Sequence, residues 1–313
     1  MDRKIKNIGI VGAGLVGASW AAFYAGKGFG VKLYDVSESA RQNGCKKAAE
    51  HLTFLKDQGM LLPENFKRAV AALKVADSLA EAVQNVELVQ ESVAERYEIK
   101  KEVFEKIGLH TSADVIVASS TSALSISDIQ QNIRHPQRSL TAHPFNPPHL
   151  IPLVELVPGK NTDKKTIADM KIFLERLGKV PVVLNKEVPG HIANRFQAAV
   201  WREAVDMVIN GVASVEDVDR ALCAGPGIRW ALLGPHLLFH LGGGKGGIEY
   251  LTDHIGVVYE EIWQSMARWT SLPAETKDVV VEGIKKEMGE RTFSEIVKWR
   301  DDKLVKLLKI LYT

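Results

Sequence analysis

The stretch AHPFNPPHLIPLVELVPG sets His143 at the end of one apolar run and Glu155 inside the next. A histidine can take up and return a proton near neutrality, because an unperturbed imidazole ionises at roughly pH 6.5. A carboxylate on its other ring nitrogen would fix the tautomer and stabilise the imidazolium as it forms. A second group of residues lies near the N-terminus, where Gly12, Gly14 and Gly17 of GAGLVG have G-x-G-x-x-G spacing between an apolar run and a helical pattern. The first glycine of such a turn permits the bend, the second lets backbone amides reach a pyrophosphate, and the third allows helix and strand to pack closely. Here those amides include Leu15 and Val16 at the helix start, where the dipole also favours an anion. Asp35 ends the next strand pattern and is placed to accept hydrogen bonds from ribose hydroxyls while repelling a 2′-phosphate. With no arginine in the DVSES that carries Asp35 forward, the pattern favours NAD over NADP, a flavin being the alternative occupant.

These groups need elements to hold them. Short β-branched runs alternate with longer helical patterns through the first half, as expected for a parallel sheet covered by helices on both faces. NIGIVGAG, VKLYDV, VELVQE, VIVASST, SLTAHPF, LVELVPG and VPVVLN all read as strands. Pro189 and Gly190 then break the pattern, and everything beyond them reads as helix. The expected architecture is α/β: an N-terminal Rossmann-type, doubly wound, mostly parallel sheet over residues 1–188, and a second, all-helical domain over 189–313. Ser214 with Asp217 and Thr292 with Glu295 have capping-box spacing. CAGPGIRW and LGGGKGGI read as glycine-rich breaks between helices, and the amphipathic terminal KWRDDKLVKLLKILY as a helix docked by its apolar face.

The chain of 313 residues is long enough for two domains with real cores. Its formal net charge of +2 comes without clustered excess Lys and Arg, which argues against a nucleic-acid partner. The only cysteines, Cys45 and Cys223, sit in helix-like segments and are expected as buried free thiols, which fits a reducing compartment. The N-terminal apolar run is too short for a signal peptide or a membrane span, so a cytoplasmic protein is expected. His149, His191, His236, His240 and His254 have no convincing metal-ligand spacing; core or surface roles and no metal are expected.

VQESVAERYEIKKEVF, ASSTSALSISDI, AHPFNPPHLIPLVELV and PGHIANRF, in that order, resemble the L-3-hydroxyacyl-CoA dehydrogenase superfamily across essentially the whole chain. The resemblance implies that His143 is the catalytic base and Glu155 its orienting carboxylate. It implies further that Ser122 meets the substrate oxygen, that Asn194 is the active-site asparagine, and that Glu95 and Lys100 contact the cofactor. Asn194 would then stand across an interdomain cleft from His143.

Two departures bear on the substrate. The fatty-acid enzymes of the superfamily carry asparagine before the TS and a GPFEL-like turn, whereas this chain has Ser120 in ASSTS and GPGIRWALLGP. Both features resemble the branch that contains lambda-crystallin (L-gulonate 3-dehydrogenase) and L-carnitine dehydrogenase, which act on small free L-3-hydroxy acids. Such acids carry a carboxylate where a thioester is neutral, and Arg229 in GPGIRW is the expected bidentate clamp for it. Trp230 beside it would suit a quaternary ammonium. The expected function is therefore NAD-linked oxidation of a free L-3-hydroxy acid, with a short-chain acyl-CoA as alternative substrate and a non-catalytic, crystallin-like NAD-binding protein as alternative class. A homodimer formed through the helical domain, around Trp201 and Trp263, is expected.

Overall fold

The computed structural model describes residues 5–312. The first four residues, with which the reading against a signal peptide begins, lie outside the described residues.

The chain opens with β1 (Asn7–Val11), α1 (Leu15–Gly26), β2 (Gly30–Tyr34), α2 (Glu38–Asp57), α3 (Pro63–Ala72) and β3 (Leu73–Val75). It continues through α4 (Leu79–Val83), β4 (Leu88–Glu91), α5 (Tyr97–His110), β5 (Ile116–Ser119), α6 (Ile126–Ile129) and β6 (Ser139–Pro144). A last α/β segment follows, with β7 (Leu153–Pro158), α7 (Lys164–Arg176), β8 (Val180–Val183) and α8 (Ala193–Ile209). The strands form one sheet in the order β3-β2-β1-β4-β5-β6-β7-β8. Neighbouring strands are parallel except at β6–β7, where the chain turns back antiparallel. The order reverses direction between β1 and β4, the switch point at which doubly wound sheets bind ligands beyond the carboxyl ends of their strands. The sequence pattern missed β3, because three residues at a sheet edge, with Lys74 exposed between Leu73 and Val75, carry no alternation to read.

Pairing aligns the ends that matter. Val11 faces Glu91, Glu91 faces Ser119 and Ser119 faces Thr141. The segments that follow these residues, carrying Gly12, Ser92 to Glu95, Ser120 to Ser122 and His143, therefore emerge side by side along one edge. Central strands β4, β5 and β6 are buried along their whole length. Beneath them Phe104 and Ile107 of α5 pack with Val89, Val117 and Ile126 in an apolar cluster.

Contacts divide the chain into two compact units, Met1–Arg195 and Phe196–Thr313. The division falls inside the first turn of α8, a little beyond the Pro189–Gly190 break, because the amides that open this helix are bonded to Glu155 of the sheet. Asn194 thus belongs with the first unit. The second unit contains the rest of α8 followed by α9 (Val215–Leu222), α10 (Ile228–Trp230), α11 (Pro235–Gly242), α12 (Gly247–Ser265), α13 (Thr276–Met288) and α14 (Phe293–Tyr312). The capping box at Thr292 forms in full, with Thr292 N donating to Glu295 Oε2 at 2.7 Å and Glu295 N to Thr292 Oγ1 at 3.3 Å, whereas at Ser214 only the side-chain cap forms, Asp217 N donating to Ser214 Oγ at 3.1 Å.

CAGPG is not a break between helices. Cys223–Gly227 continue α9 as a π-helical turn into α10, a widening that accommodates Pro226, which has no N–H to offer the ladder. Arg229 consequently sits in a helical turn and is exposed. The expected burial of both thiols does not hold: Cys45 is half-buried and Cys223 exposed, the latter because the helix leading into its turn buries no residue.

Candidate active site

The glycine turn has the stereochemistry its spacing calls for. Gly12 adopts φ 102°, and a Cβ there would lie 2.5 Å from the Ser92 backbone; at Gly17 it would lie 1.8 Å from the Gly12 carbonyl oxygen. A Cβ at Gly14 would meet nothing within 4 Å, so this face of the turn is open to a ligand. Gly14 caps α1 without a side-chain hydrogen bond, which leaves the first amides of that helix for an anion. Asp35 is held at the end of β2 by Ala13 N, 2.9 Å from Oδ2, and by Ser37 N, 3.2 Å from Oδ1. Its surroundings include an arginine that DVSES did not disclose. Arg41, in the first turns of α2, donates to the Asp35 carbonyl oxygen at 2.9 Å and lies over the Tyr34 ring. A cavity of about 520 Å³ opens here, walled by Gly12, Gly14, Asp35 and Val36 and, on its far side, by Ser92 and Val93. Ser92 and Val93 also wall a second cavity of about 210 Å³ that reaches Glu95, Ser122 and His143.

The antiparallel β6–β7 pairing sets His143 directly opposite Glu155. Nδ1 of His143 lies 2.8 Å from Oε2 of Glu155, and both side chains are buried. The other carboxylate oxygen accepts from Ile192 N at 2.7 Å and Ala193 N at 3.0 Å, where α8 begins. Burial alone would raise the Glu155 carboxyl; the hydrogen bond from His143, the two amides and the imidazole charge outweigh it and hold the group below its ordinary value. An ionised Glu155 only accepts, so the proton between the two lies on Nδ1 and the tautomer leaves Nε2 as the basic nitrogen.

Ser122 sits on the turn after β5, and Glu95 grips that turn. One oxygen of Glu95 accepts from Thr121 Oγ1 at 2.6 Å, Ser122 N at 2.8 Å and Ala123 N at 3.1 Å. Burial would raise the Glu95 carboxyl, but Thr121, the nearby Lys100 charge and the two amides bring it below its ordinary value. Lys100 is 1% exposed, with its ammonium 2.8 Å from Glu91, 3.4 Å from Glu95 and 3.3 Å from the Val93 carbonyl oxygen. Its charge therefore acts on the cavity chiefly by fixing Glu95. Asn194 Nδ2 approaches the Ser122 carbonyl oxygen at 3.5 Å.

The first unit thus brings His143, Glu155, Ser122, Glu95, Lys100 and Asn194 together, next to the groove of Gly12, Gly14 and Asp35. Arg229 lies in the second unit. Thr121 and Asn146 are not among the residues the sequence singled out, and His191 is expected there only in a core or surface role: Asn146 lines the smaller cavity, while His191 is buried with its ring centroid 5.2 Å from that of His143. For Thr121 and Asn146 the signal was adjacency to Ser122 and His143. Among the described residues, no three His, Cys, Asp or Glu side chains converge as a metal site.

Residues 7–188 match the family model of the 3-hydroxyacyl-CoA dehydrogenase NAD-binding domain, and residues 190–283 match that of the 3-hydroxyacyl-CoA dehydrogenase C-terminal domain. The chain belongs to the 3-hydroxyacyl-CoA dehydrogenase family. L-carnitine dehydrogenase of Nocardiopsis dassonvillei is 36% identical over 309 residues, covering 99% of this chain and 92% of that protein. That of Oceanobacillus iheyensis is 34% identical and covers 98% of each chain. Among solved structures, an NAD+-dependent dismutase, 5-formyl-3-hydroxy-2-methylpyridine 4-carboxylic acid 5-dehydrogenase, is 30% identical with a TM-score of 0.83, covering 98% of this chain and 99% of its own. This member of the 3-hydroxyacyl-CoA dehydrogenase family is an NAD-dependent oxidoreductase acting on a CH–OH group. Its residues fit the dinucleotide, since the open face at Gly14, the uncapped start of α1 and the anchored Asp35 carboxylate lie along one groove.

Proposed function

We propose that this dehydrogenase oxidises a small free L-3-hydroxy acid of the L-carnitine type to the 3-oxo acid. The observation that carries the reading is similarity to L-carnitine dehydrogenases along essentially the whole chain. NAD, when bound, supplies the acceptor for the hydride that leaves the carbinol carbon. The remaining work falls to side chains. His143 takes the hydroxyl proton on Nε2, and the imidazolium so formed is neutralised by Glu155 through the Nδ1–H bond. In the reverse direction the same nitrogen returns the proton. Ser122 and Asn194 hold the reacting oxygen, while Gly12, Gly14, Leu15, Val16, Gly17 and Asp35 bind the pyrophosphate and adenosine ribose. Glu95 and Lys100 belong to the cofactor-facing wall near Ser122.

Arg229 is proposed to clamp the substrate carboxylate, with Trp230 beside it for a quaternary ammonium. Residues 189–313 would accordingly serve substrate binding and dimerisation, in a cytoplasmic homodimer. No helix among the described residues is long and apolar enough to cross a membrane.

The test is NADH formation with L-carnitine, L-gulonate, L-3-hydroxybutyrate and L-3-hydroxybutyryl-CoA in parallel, using the wild type and Arg229→Ala. Turnover of L-carnitine should lead, and the variant should lose about 10- to 100-fold in kcat/KM, the worth of one or two hydrogen bonds to a charged group. Activity confined to the CoA ester and indifferent to Arg229 would overturn the free-acid reading. Retained NAD binding with no turnover of any of the four would favour a structural role.

A further inference from the structure

His191 is 3% exposed and carries two features that a merely space-filling ring would not need. Its backbone is left-handed at φ 51°, a region strained for a residue with a Cβ, directly after Gly190 at φ 76°. Its imidazole is polar, yet only Nε2 has a partner, the Thr121 carbonyl oxygen at 3.2 Å; buried Nδ1 has none. Because that contact makes Nε2 the donor, Nδ1 is a bare acceptor, and protonating it would place a second donor where no acceptor waits. Phenylalanine would fill the same space without an orphaned nitrogen.

The position of these two features accounts for them. Side chain and backbone of His191 act on the two halves of the site. The ring holds the carbonyl of Thr121, immediately before Ser122, on a turn whose opposite side is gripped by Glu95. The left-handed turn, closed by His191 N on the Val188 carbonyl oxygen at 3.0 Å, points the next two amides, Ile192 and Ala193, at Glu155.

We propose that His191 is a positioning residue of this dehydrogenase, whose ring pins the Ser122 turn and whose backbone aims the amides holding Glu155, so that one residue sets oxygen-binding hydroxyl and base in register. The proposal rests on the reading that Ser122 meets the substrate oxygen. It also requires the ring to stay neutral. Burial lowers its basicity, as does the facing His143 when charged; the Thr121 carbonyl and the carboxylates of Glu155 and Glu95 act the other way without prevailing.

The test compares His191→Phe, which keeps the ring and removes the donor, with His191→Gln, whose amide can donate to the Thr121 carbonyl. Each is made alone and with Ser122→Ala, and assayed on whichever of L-carnitine or L-3-hydroxybutyryl-CoA the wild type oxidises. His191→Phe should lower kcat about three- to ten-fold, the worth of one neutral hydrogen bond, with melting temperature and KM for NAD unchanged. His191→Gln should recover most of that loss. In the Ser122→Ala background His191→Phe should add less than about two-fold, because both changes act on one turn. Losses that multiply, or Phe and Gln variants that lose equally, would overturn the positioning role, and so would a Phe variant with full kcat. Nitrogen NMR of imidazole-labelled enzyme gives a readout independent of turnover. His191 should show a neutral, Nε2-protonated ring across the assay pH, and an Nδ1-protonated or charged ring would overturn the proposal. Preference for the CoA ester would sink the free-acid reading while leaving these ratios to be judged on their own.

Discussion

Trp20 of the sheet unit is fully buried, whereas Trp201, Trp230, Trp263 and Trp299 of the helical unit are 51, 45, 62 and 59% exposed. The contrast extends beyond tryptophan: β4, β5 and β6 bury every residue, while α9 and α11 bury none. The sheet unit satisfies its own apolar pattern, and its site residues hydrogen-bond to one another through Glu95 and Glu155. The helices present apolar surface of the kind that marks an interaction face. The His143–Glu155 pair is therefore built within the first unit. Replacing His143 by Asn puts this to the strongest test, with kcat expected to fall at least about 1,000-fold, near the upper range for a general base. The fold and NAD affinity should be retained, because the groove at Asp35 and the pairing of β6 with β7 do not depend on the imidazole. Substantial residual turnover would remove His143 from the role of base.

The other side of the contrast calls for a partner, and a second copy of this chain is the proposed one. Trp263→Glu in α12 should weaken self-association by at least about 30-fold, the effect of truncating an aromatic hot spot, measured as a shift toward monomer in sedimentation. A wild-type chain that is monomeric at micromolar concentration would break the comparison, leaving exposed tryptophans without a covering surface.

The division also explains what could be read from the residues. The G-x-G-x-x-G turn and Asp35 were legible because strand, turn and helix follow one another along the chain and their chemistry is local. His143 and Glu155 were legible as a pair because a hairpin-like return in one sheet brings near residues together, and their cross-strand register follows from that return. The bonds from Glu95 to the Ser122 turn and from Ile192 to Glu155 join residues about 27 and 37 positions apart, and no periodicity encodes such closures. His191 was set aside for lack of a metal pattern, although what distinguishes it is a backbone angle. In the second unit, CAGPG looked like a break because glycine and proline usually are one, while a π turn absorbs both and continues the helix. Arg229 was read from the same stretch, which is why its role rests on a measurement with the variant.

The smallest expected effect separates the two units by their carboxylates. In the sheet unit the buried Glu155 is held below its ordinary value of 4.5 by the buried His143 and by the amides of Ala193 and Ile192. Glu282 of the helical unit is lowered by Lys286, 2.7 Å away, but that pair is exposed on both sides and solvent screens it. A carboxyl whose native value lies below its unfolded value adds stability that is complete above the unfolded value and is lost as pH falls through the native one. Glu155 therefore makes the native sheet unit weaker as the medium is acidified below about 4.5, whereas breaking the Glu282 pair should leave the acid limb unchanged. Amide exchange followed from pH 6 to pH 3 (roughly the range over which carboxyls titrate) reads the two units separately. With Glu155→Gln, protection in β6 and β7 should start lower and then decline less steeply toward acid than in wild type, while Glu282→Gln should leave α13 indistinguishable from wild type. Parallel slopes for Glu155→Gln and wild type would mean that the carboxylate gains nothing from His143 and the α8 amides, and the electrostatic difference between the units would disappear with it.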